Sequence, residues 1–473
     1  MTATLRCDLC VIGAGAGGLT LAAGAARMGA RVVLIEQGEL GGDCLHTGCV
    51  PSKALLAAAA AVRTARRAQE WGVLRTPPGA VDWQAVRRHL RRAQAAIAQH
   101  DRVERFEALG VRVLRARARF SDPRTIEAGG VRVRARRFVL ATGSQPAIPS
   151  IAGLERVPFL TNETIFDLPE LPRHLLVLGA GPQGCELAQA FARLGSRVTL
   201  VEAGAMLGRE DPDLVAPVRQ ALSADGIEIR EQARVLAAEP GPVLVVAGRT
   251  GEVARIAGSH LLVATGRRPT VDGLALERAG IAFDATGIRV DSTLRTTNPR
   301  VFAVGDVTGG PPFTHAAAWQ AGIVLRRVLL RMPVQATTRA MPRVTYTDPE
   351  LAWVGKDRRD LEAEGGTVQV LDLPFAQVDR AWCEGRSEGL LRLLLGRGRR
   401  VLAVGIVGPQ AGELLLPWCL LLARRLPLAA MATAIAPYPT LSLVSTRAAQ
   451  AAFEPLIASP WVRRLVRLLH PWG

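Results

Sequence analysis

Two cysteines lie five positions apart in GGDCLHTGCVPSKALL, residues 41–56, and Lys53 follows the second of them by four positions. Thiols at this spacing can form a redox couple, contribute to a metal site, or stay buried without chemistry. A structural zinc site needs about four ligands, which Cys44 and Cys49 alone do not supply. Pro51 and the AlaLeuLeu run predict that a helix begins near Cys49, and a helix N-terminus stabilises a thiolate. The pattern therefore favours a redox couple.

The other five thiols give no comparable signal. Cys7 and Cys10 form C-x-x-C on a buried strand pattern, so we expect them to point to opposite faces as core thiols. Seven cysteines in all, an odd number, do not suggest the disulfide framework of a small secreted domain. The N-terminus shows no basic leader with an apolar run and cleavage site. The sequence therefore predicts a cytoplasmic protein.

An internal repeat supplies the elements that must position these cysteines. Residues 7–37 and 175–203 each follow one order: an apolar strand, G-x-G-x-x-G, an Ala-rich helix, a glycine, a second strand and an acid. The fingerprint glycines permit a tight turn, close approach of a pyrophosphate and helix packing, and the helix N-terminus favours the anion. The pattern predicts two dinucleotide-binding units. The repeated residues, each displaced by 166 positions, are Gly13 and Gly179, Gly15 and Gly181, Gly18 and Gly184, Gly29 and Gly195, and Glu36 and Glu202.

Further strands support this organisation. FVLATGSQP (138–146) and LLVATGRRP (261–269) both end a buried strand in Ala-Thr-Gly, and VFAVGD (301–306) delivers Asp306 at a strand end, where parallel sheets place ligand contacts. From Pro342 short strands alternate with helices without another glycine fingerprint, which predicts a separate α+β domain.

The charge pattern limits the possible partners. The formal charge is +17 and only Lys53 and Lys356 are lysines, but the arginines are spread along the chain without a nucleic-acid motif, so we expect no nucleic-acid partner. No uncharged apolar run reaches about 18 residues, so a membrane-spanning helix is not expected, and 414–435 comes closest. In 461–473 a basic amphipathic helix is predicted, which either lies on an anionic membrane or docks on its own domain.

These motifs together resemble one family. Two dinucleotide units with G-G-x-C-x-x-x-x-C-x-P-S-K are similar to the flavoprotein disulfide reductases, and most similar to their mercuric-reductase-like members. The resemblance covers about 6–455 and includes F-T-H-A-A (313–317), T-D-P-E-L-A-x-V-G (347–355), D-R-A (379–381) and Y-P-T-L-S (438–442).

The resemblance implies an α/β fold with two Rossmann-like domains, for FAD and NAD, and a C-terminal α+β dimerisation domain. The expected boundaries are 1–150 for the first part of the FAD domain, 151–270 for the NAD(P) domain, 271–341 for the second part of the FAD domain, 342–459 for the interface domain and 460–473 for the basic tail.

The family also implies cofactor contacts and a homodimer. Glu202 favours NADH over NADPH, because a carboxylate repels the extra phosphate. Asp306 would contact the ribitol chain of FAD. The residues expected to bind FAD are Gly13, Gly15, Gly18, Glu36, Gly42, Lys53, Thr142, Gly143, Gly305 and Asp306, and those for the nicotinamide nucleotide are Gly179, Gly181, Gly184, Glu202 and Gly266.

In the family mechanism electrons pass from NAD(P)H through the flavin to the disulfide. By resemblance Cys49 is the flavin-facing thiol and Cys44 the interchange thiol, which must be exposed to attack the acceptor. Lys53 and Glu186 would form an ion pair beside the flavin. No resident metal is expected. His46 is interpreted as a polar surface group and His315 as a structural group, and neither as a base.

The chain departs from the disulfide-reducing members at their C-terminal His–Glu pair, where it carries Tyr438 and Leu443. A tyrosine there is a mercuric-reductase feature, but no cysteine follows Cys419 to supply the C-terminal thiol pair of those enzymes. The expected acceptor is a small-molecule disulfide or a Hg(II)-type metal–thiol complex, with Tyr438 as a candidate catalytic group. The alternatives are a membrane-associated NADH:quinone or oxygen reductase, and a non-enzymatic redox sensor.

Overall fold

The computed structural model describes residues 4–76, 79–337, 339–365 and 367–470. These residues form two compact units. The first takes the described residues up to Ala203 together with Glu228–Thr337, and the second takes Gly204–Ile227 and the described residues from Arg339 onward. Segment 204–227 is thus grouped with the C-terminal region, although the sequence places it between the strands of the second nucleotide unit. The predicted domain boundaries stay a prediction.

The described strands are β1 (Thr4–Ile12), β2 (Val32–Glu36), β3 (Val111–Arg115), β4 (Ala118–Asp122), β5 (Thr125–Ala128), β6 (Val131–Leu140), β7 (Ser144–Pro146), β8 (His174–Leu178), β9 (Arg197–Val201), β10 (Glu228–Arg230), β11 (Arg234–Glu239), β12 (Val243–Ala247), β13 (Val253–Ala257), β14 (His260–Val263), β15 (Arg267–Pro269), β16 (Phe283–Asp284), β17 (Gly287–Ile288), β18 (Val301–Ala303), β19 (Arg343–Thr345), β20 (Glu350–Gly355), β21 (Gln369–Pro374), β22 (Leu390–Leu395) and β23 (Val401–Gly408).

The described α-helices are α1 (Ala16–Arg27), α2 (Gly42–His46), α3 (Cys49–Glu70), α4 (Trp83–Ala98), α5 (Val103–Ala108), α6 (Pro182–Leu194), α7 (Pro212–Ala224), α8 (Thr314–Val328), α9 (Arg358–Ala363), α10 (Asp379–Cys383), α11 (Ala411–Leu414), α12 (Leu416–Arg424), α13 (Ala429–Ala432), α14 (Leu443–Ala451), α15 (Glu454–Ile457) and α16 (Pro460–Leu469).

The first unit is built on two related parallel sheets. One has the order β3-β2-β1-β6-β5-β4 with β18 beside β6, and its strands β3, β2, β1, β6 and β18 run parallel. The other has the order β10-β9-β8-β14 and is parallel throughout. Helix α1 follows β1 as α6 follows β8, so the internal repeat seen in the sequence corresponds to two copies of one βαβ arrangement. Both sheets therefore present the carboxyl ends of their central strands to a ligand.

The fingerprint turns have room only for glycine. Gly13 has φ +100°, and a Cβ on it would lie 2.3 Å from the Ala141 carbonyl oxygen. A Cβ on Gly18 would lie 1.8 Å from the Gly13 carbonyl oxygen. The same two clashes recur in the second copy at Gly179 and Gly184. The glycines thus allow strand, turn and helix to pack closely in both copies.

One expectation for the N-terminal thiols is wrong. Cys7 and Cys10 are both buried in the same hydrophobic cluster, not on opposite faces of β1. The amides of Asp8 and Leu9 both donate to the Arg31 carbonyl, which marks a local irregularity that breaks the strand alternation. Burial raises the pKa of Cys7 to about 12 and also raises that of Cys10. Both are therefore core thiols, as expected.

Helices α2 and α3 form an apolar stretch that the hydropathy of the sequence did not single out. Together they cover Gly42–Glu70, and by length and composition this 29-residue stretch is apolar enough to cross a membrane, which the sequence interpretation had not singled out. A third of its most apolar window is buried, and α3 packs against α4 and α6. The buried residues of α3 pack within the first unit, and Cys49 is its first residue.

The second unit contains an antiparallel sheet of order β19-β20-β23-β22-β21. Its hydrophobic core includes the fully buried Trp418 and Phe375, with helix α14 packed over β21 and β22. The change of pattern that the sequence shows at Pro342 thus corresponds to a change from parallel to antiparallel sheet.

Candidate active site

The two cysteines lie on consecutive helices. Cys44 is in the short helix α2, and Cys49 is the first residue of α3, as the Pro51 pattern predicts. A long helix that begins at Cys49 directs its unpaired N–H groups and the positive end of its dipole towards that sulfur. The sequence therefore predicts the local position of the thiols correctly.

The pKa values of Cys44 and Cys49 are shifted in opposite directions. A hydrogen bond from Cys44 lowers the pKa of Cys49 to about 6 against the effect of burial, with smaller contributions from Thr314 and Lys53. The same hydrogen bond, together with burial, raises the pKa of Cys44. The Thr314 hydroxyl, at the start of α8, lies 3.4 Å from the Cys49 sulfur. At neutral pH Cys49 is therefore the thiolate and Cys44 the thiol.

The two sulfurs differ in exposure. Cys49, at the start of α3 opposite the first turn of α8, is exposed, and Cys44 in α2 is half-buried. The flavin-facing role of Cys49 and the interchange role of Cys44 stay predictions.

Lys53 and Glu186 form an ion pair one helical turn from Cys49. The Lys53 Nζ lies 2.7 Å from Glu186 Oε2, and the Glu186 side chain is only 6% exposed. The pair joins α3, which follows the first copy of the repeat, to α6, the helix of the second copy. Breaking this ion pair should cost more than breaking a solvent-exposed one. Removal of Lys53 would leave the buried Glu186 carboxylate with little access to water.

The nucleotide-binding loops have the geometry that a pyrophosphate requires. Around the second glycine of each fingerprint the backbone is accessible: a Cβ on Gly15 would meet only Gly42 at 4.0 Å, and one on Gly181 would meet nothing within 4 Å. The terminal acids turn back to these loops, with Glu36 accepting from the Ala14 amide at 2.6 Å and Glu202 from the Ala180 amide at 2.7 Å. The residues present therefore fit a dinucleotide at each loop.

Other predicted contacts gather beside the first loop. The Ser144 hydroxyl donates to Asp306 Oδ2 at 2.6 Å, and the Thr142 hydroxyl donates to the Thr270 carbonyl at 2.7 Å. A Cβ on Gly42 would lie 2.7 Å from the Gly15 Cα, so the cysteine segment packs directly on the fingerprint. The remaining predicted glycines are in the left-handed region: Gly143 (φ +67°), Gly266 (φ +126°) and Gly305 (φ +74°).

In the second unit Tyr438 is paired with an acid. Its hydroxyl donates to Asp379 Oδ2 at 2.9 Å, and this hydrogen bond raises the pKa of the phenol. Tyr438 is 70% exposed, and Leu443 begins helix α14. A carboxylate from a different element thus stands next to the residue that replaces the usual histidine.

The two histidines that are not interpreted as bases have structural contacts. His46 Nε2 lies 2.8 Å from the Leu40 carbonyl oxygen, and the His315 ring stacks on Phe313 with ring centroids 5.1 Å apart. Among the residues that the structure describes, no group of three or more His, Cys, Asp or Glu is arranged to hold a metal ion.

Comparison with known proteins identifies the family. Residues 7–321 match the pyridine nucleotide-disulphide oxidoreductase domain, and residues 341–449 match the dimerisation domain of the same family. The chain belongs to the pyridine nucleotide-disulphide oxidoreductase family. The fold class predicted from the repeat and its resemblance to the flavoprotein disulfide reductases are thereby confirmed.

Individual relatives of this oxidoreductase cover nearly its whole length. The mercuric reductase of Streptomyces lividans is 35% identical over 457 residues, spanning 94% of this chain and 95% of the relative. The dihydrolipoyl dehydrogenase of Thermus scotoductus is 35% identical over 471 residues, spanning 94% and 97%. A Cu(II) complex of the HOCl-induced flavoprotein disulfide reductase RclA from Escherichia coli has a TM-score of 0.82 at 27% identity, covering 92% of this chain and 98% of that one.

Four residues that contact predicted site residues or their neighbours were not singled out from the sequence. They lie inside motifs that were noticed: Asp43 in G-G-D-C, Arg267 in A-T-G-R, Thr314 in F-T-H and Asp379 in D-R-A. Their partners are distant in sequence, for example 265 positions between Cys49 and Thr314, so only the fold brings them together.

Proposed function

We propose that this oxidoreductase passes electrons from NADH through FAD and the Cys44–Cys49 couple to a thiol-reactive acceptor. The observation that carries the proposal is the arrangement of the pair: Cys49 is the first residue of α3, and Cys44 is the largest influence that lowers its pKa, to about 6. A thiolate at neutral pH beside a second thiol is the reduced form of an exchange-competent couple.

The proposed cofactors fit the residues present. FAD would lie along the first fingerprint, with Glu36 at the adenosine ribose and Asp306 at the ribitol chain. NADH would lie along the second fingerprint, where the Glu202 carboxylate disfavours the added phosphate of NADPH. Bound FAD would supply hydride acceptance from NADH and delivery of an electron pair to the disulfide.

The protein side of the reaction concerns the two sulfurs. When the disulfide takes up two electrons, the S–S bond breaks, Cys49 remains a thiolate and Cys44 takes a proton. Thr314 and Lys53 stabilise the Cys49 thiolate, which FAD would cover in the holoenzyme. Cys44 then attacks the acceptor and displaces a thiolate from the metal–thiol complex or disulfide, and that thiolate takes up the proton that Cys44 loses. The raised pKa of Cys44 makes this deprotonation the demanding step.

Tyr438 is proposed as a hydrogen-bond donor in this exchange. Because Asp379 raises its pKa, the phenol stays protonated near neutral pH and cannot act as a base there. The dimerisation domain supports a homodimer, in which Tyr438 would serve the Cys44 of the other copy. A phenol suits ligand exchange at a metal–thiol complex better than the proton transfers of dithiol oxidation.

The acceptor that best fits this chemistry is a soft metal ion delivered as a thiol complex. The mercuric reductases among the relatives and the Cu(II) complex of the Escherichia coli reductase support that class. A small-molecule disulfide is the second choice, since the usual His–Glu pair is replaced by Tyr438 and Leu443. We place the protein in the cytoplasm, where thiols stay reduced.

Stopped-flow reoxidation tests this proposal. NADH-reduced wild-type holoenzyme is mixed with Hg(II)–thiol complexes, disulfides, quinones or oxygen, and the series is repeated with Cys44→Ser. We expect the thiol-reactive acceptors to lose at least about 100-fold in rate in the variant, which removes the attacking sulfur, while acceptors reduced directly by flavin keep theirs. Equal rates for Hg(II) and disulfides in both proteins would contradict the thiol route.

A second candidate function has one observation in its favour. Helix α16 leaves an apolar face exposed, with Trp461 67%, Leu468 77% and Leu469 63% accessible, and Arg463, Arg464 and Arg467 on the opposite side. No acidic residue follows Glu454, so charge complementarity favours an anionic lipid surface. We infer that α16 holds the protein at such a membrane, where a quinone could also accept electrons.

A further inference from the structure

The cysteine segment contains a carboxylate that the proposed chemistry does not use. Asp43 immediately precedes Cys44, and its Oδ2 is so close to the start of α3 that a Cβ on Gly48 would lie 2.9 Å from it. Gly48 is the residue before Cys49. A negative charge at this point opposes a thiolate at the N-terminus of α3. The site therefore needs a cation to offset Asp43.

Arg267 is in position to be that cation. Its Nη2 lies 3.4 Å from Asp43 Oδ2, and its side chain is 20% exposed. Its Nε donates to the Ser144 hydroxyl at 2.7 Å and its Nη2 to the Ser144 carbonyl at 2.9 Å. The Ser144 hydroxyl in turn donates a hydrogen bond to Asp306 Oδ2 at 2.6 Å. One guanidinium thus connects the cysteine segment with the acid proposed for the ribitol chain.

The contact is fixed from the other side by a buried amide. Asn162, 4% exposed, donates from Nδ2 to Asp43 Oδ1 at 2.9 Å and to the Thr47 carbonyl at 3.2 Å. The Thr47 hydroxyl donates to the same Asp43 oxygen at 2.8 Å. Asp43 is therefore held in one orientation, with Oδ1 satisfied by neutral donors and Oδ2 facing Arg267 and Gly48.

We propose that Arg267 is a positioning residue of the redox site, whose guanidinium holds Asp43 and Asp306 and offsets the Asp43 charge beside Cys49. This inference rests on the proposed role of Cys49 as the thiolate of the couple. The Asp43 carboxylate raises the pKa of Cys49, in opposition to Cys44, Thr314 and Lys53, which lower it. Glu186 is linked to these charged groups by its ion pair with Lys53.

A charge cycle at Arg267 and Asp43 tests the proposal. The pKa of Cys49 is read from the pH dependence of the thiolate-to-flavin absorbance in reduced holoenzyme. We expect Arg267→Gln to raise this pKa by about one unit, which lowers the thiolate fraction at pH 6 about fivefold. Asp43→Asn should shift it in the opposite direction, and the double variant should return to within about 0.3 units of wild type.

Two further variants separate charge from folding. Arg267→Lys keeps the charge but loses the forked hydrogen bonds, so the pKa should stay near the wild-type value. Arg268→Gln is the matched control, because Arg268 is the next residue of β15 and pairs with Asp272 instead, 3.0 Å away. The proposal is overturned if Arg267→Gln leaves the pKa unchanged or if the double variant behaves like Arg267→Gln alone.

A second readout keeps this test independent of the proposed function. Each protein is reduced with a phosphine, alkylated with iodoacetamide across the pH range, and the Cys49 peptide is quantified. The same pKa shifts of Cys49 are expected in the single and double variants, whether or not NADH or any acceptor reacts. Loss of NADH reduction with the cycle intact would reject the proposed function alone, and normal turnover without the cycle would reject the role of Arg267 alone.

Discussion

At the scale of single residues, the site is a balance of charges around Cys49. Cys44, Thr314 and Lys53 favour its thiolate, whereas burial and Asp43 oppose it. Lys53 is suited to this because it is held 2.7 Å from the buried Glu186 and cannot swing away freely. A point charge fixed within a few ångströms of a thiol shifts its pKa by an amount that matters near neutral pH.

Removing the Lys53 charge should therefore reduce the thiolate population. We expect Lys53→Met to raise the pKa of Cys49 above about 6 by about one unit, so that the thiolate-to-flavin absorbance at pH 6.5 falls about threefold and recovers at higher pH. A pH titration of the reduced holoenzyme measures this. The chain offers a matched control in Lys356→Met, since Lys356 is its only other lysine and pairs with Glu364. Equal titration curves for all three proteins would contradict the role of Lys53.

The sequence predicted the residues that belong to short motifs and missed those that depend on distant partners. Cys49 at a helix start follows from Pro51 alone. Asp43 and Asn162 are 119 positions apart, and Tyr438 and Asp379 are 59 apart, so no local pattern indicates that they touch.

At the scale of elements, the antiparallel sheet of the second unit is held by a buried charge cluster. Arg392 in β22 is 6% exposed and contacts three acids: Asp372 at 2.7 Å, Asp213 at 2.8 Å and Asp211 at 2.9 Å. Burial alone would raise the pKa of Asp211, but hydrogen bonds from Arg392 and Arg358 lower it overall. The cluster ties the segment before α7 to β21 and β22.

Breaking this cluster should destabilise the protein in a pH-dependent way. Arg392→Met leaves the buried Asp211 carboxylate with Arg358 as its remaining arginine partner. We therefore expect about 3 kcal/mol less unfolding free energy at pH 7, at the lower end of the cost of breaking a buried ion pair. A depressed carboxyl pKa stabilises the fold above the unfolded value near 3.9 and loses that effect as pH falls.

The difference between Arg392→Met and wild type should accordingly shrink below about pH 4, as the Asp211 carboxylate, whose pKa Arg392 lowers, becomes protonated. Urea denaturation at several pH values measures it, with the exposed Arg397→Met as control. A constant difference from pH 7 to pH 3 would show that lost packing, and not the charge cluster, causes the effect.

Strand patterns predicted the two βαβ copies and several further strands but failed where the backbone is irregular. The two βαβ copies followed from glycine register, since Gly13 and Gly179 make the same contacts. Cys7 and Cys10 fell on one face because two successive amides share the Arg31 carbonyl, which an alternating pattern cannot indicate.

At the scale of the whole molecule, the repeat and the change of sheet type account for the two nucleotide loops and the dimerisation domain. Helix α16 lies beyond the residues matched to the family, which end at 449. Its exposed apolar face has no counterpart in the redox chemistry. The membrane role proposed for it can therefore be tested without affecting the thiol site.

Vesicle flotation tests α16 directly. We expect full-length holoenzyme to float with vesicles that contain anionic phospholipid and not with neutral ones, because each arginine near the surface contributes about 1 kcal/mol. A chain ending at Ser459 should stay at the bottom in both cases while keeping NADH oxidation. Identical behaviour of the two proteins would remove the membrane role, as would loss of the dimer in the shortened chain without any lipid binding.

Anaerobic titration of the holoenzyme with NADH tests the central claim most directly. The account predicts a yellow protein in which an equimolar amount of NADH produces a long-wavelength absorbance from the Cys49 thiolate against the flavin. Cys49→Ser should lack this band, and Cys44→Ser should show it before any NADH is added. A purified protein without flavin, or a band that persists unchanged in Cys49→Ser, would contradict the account.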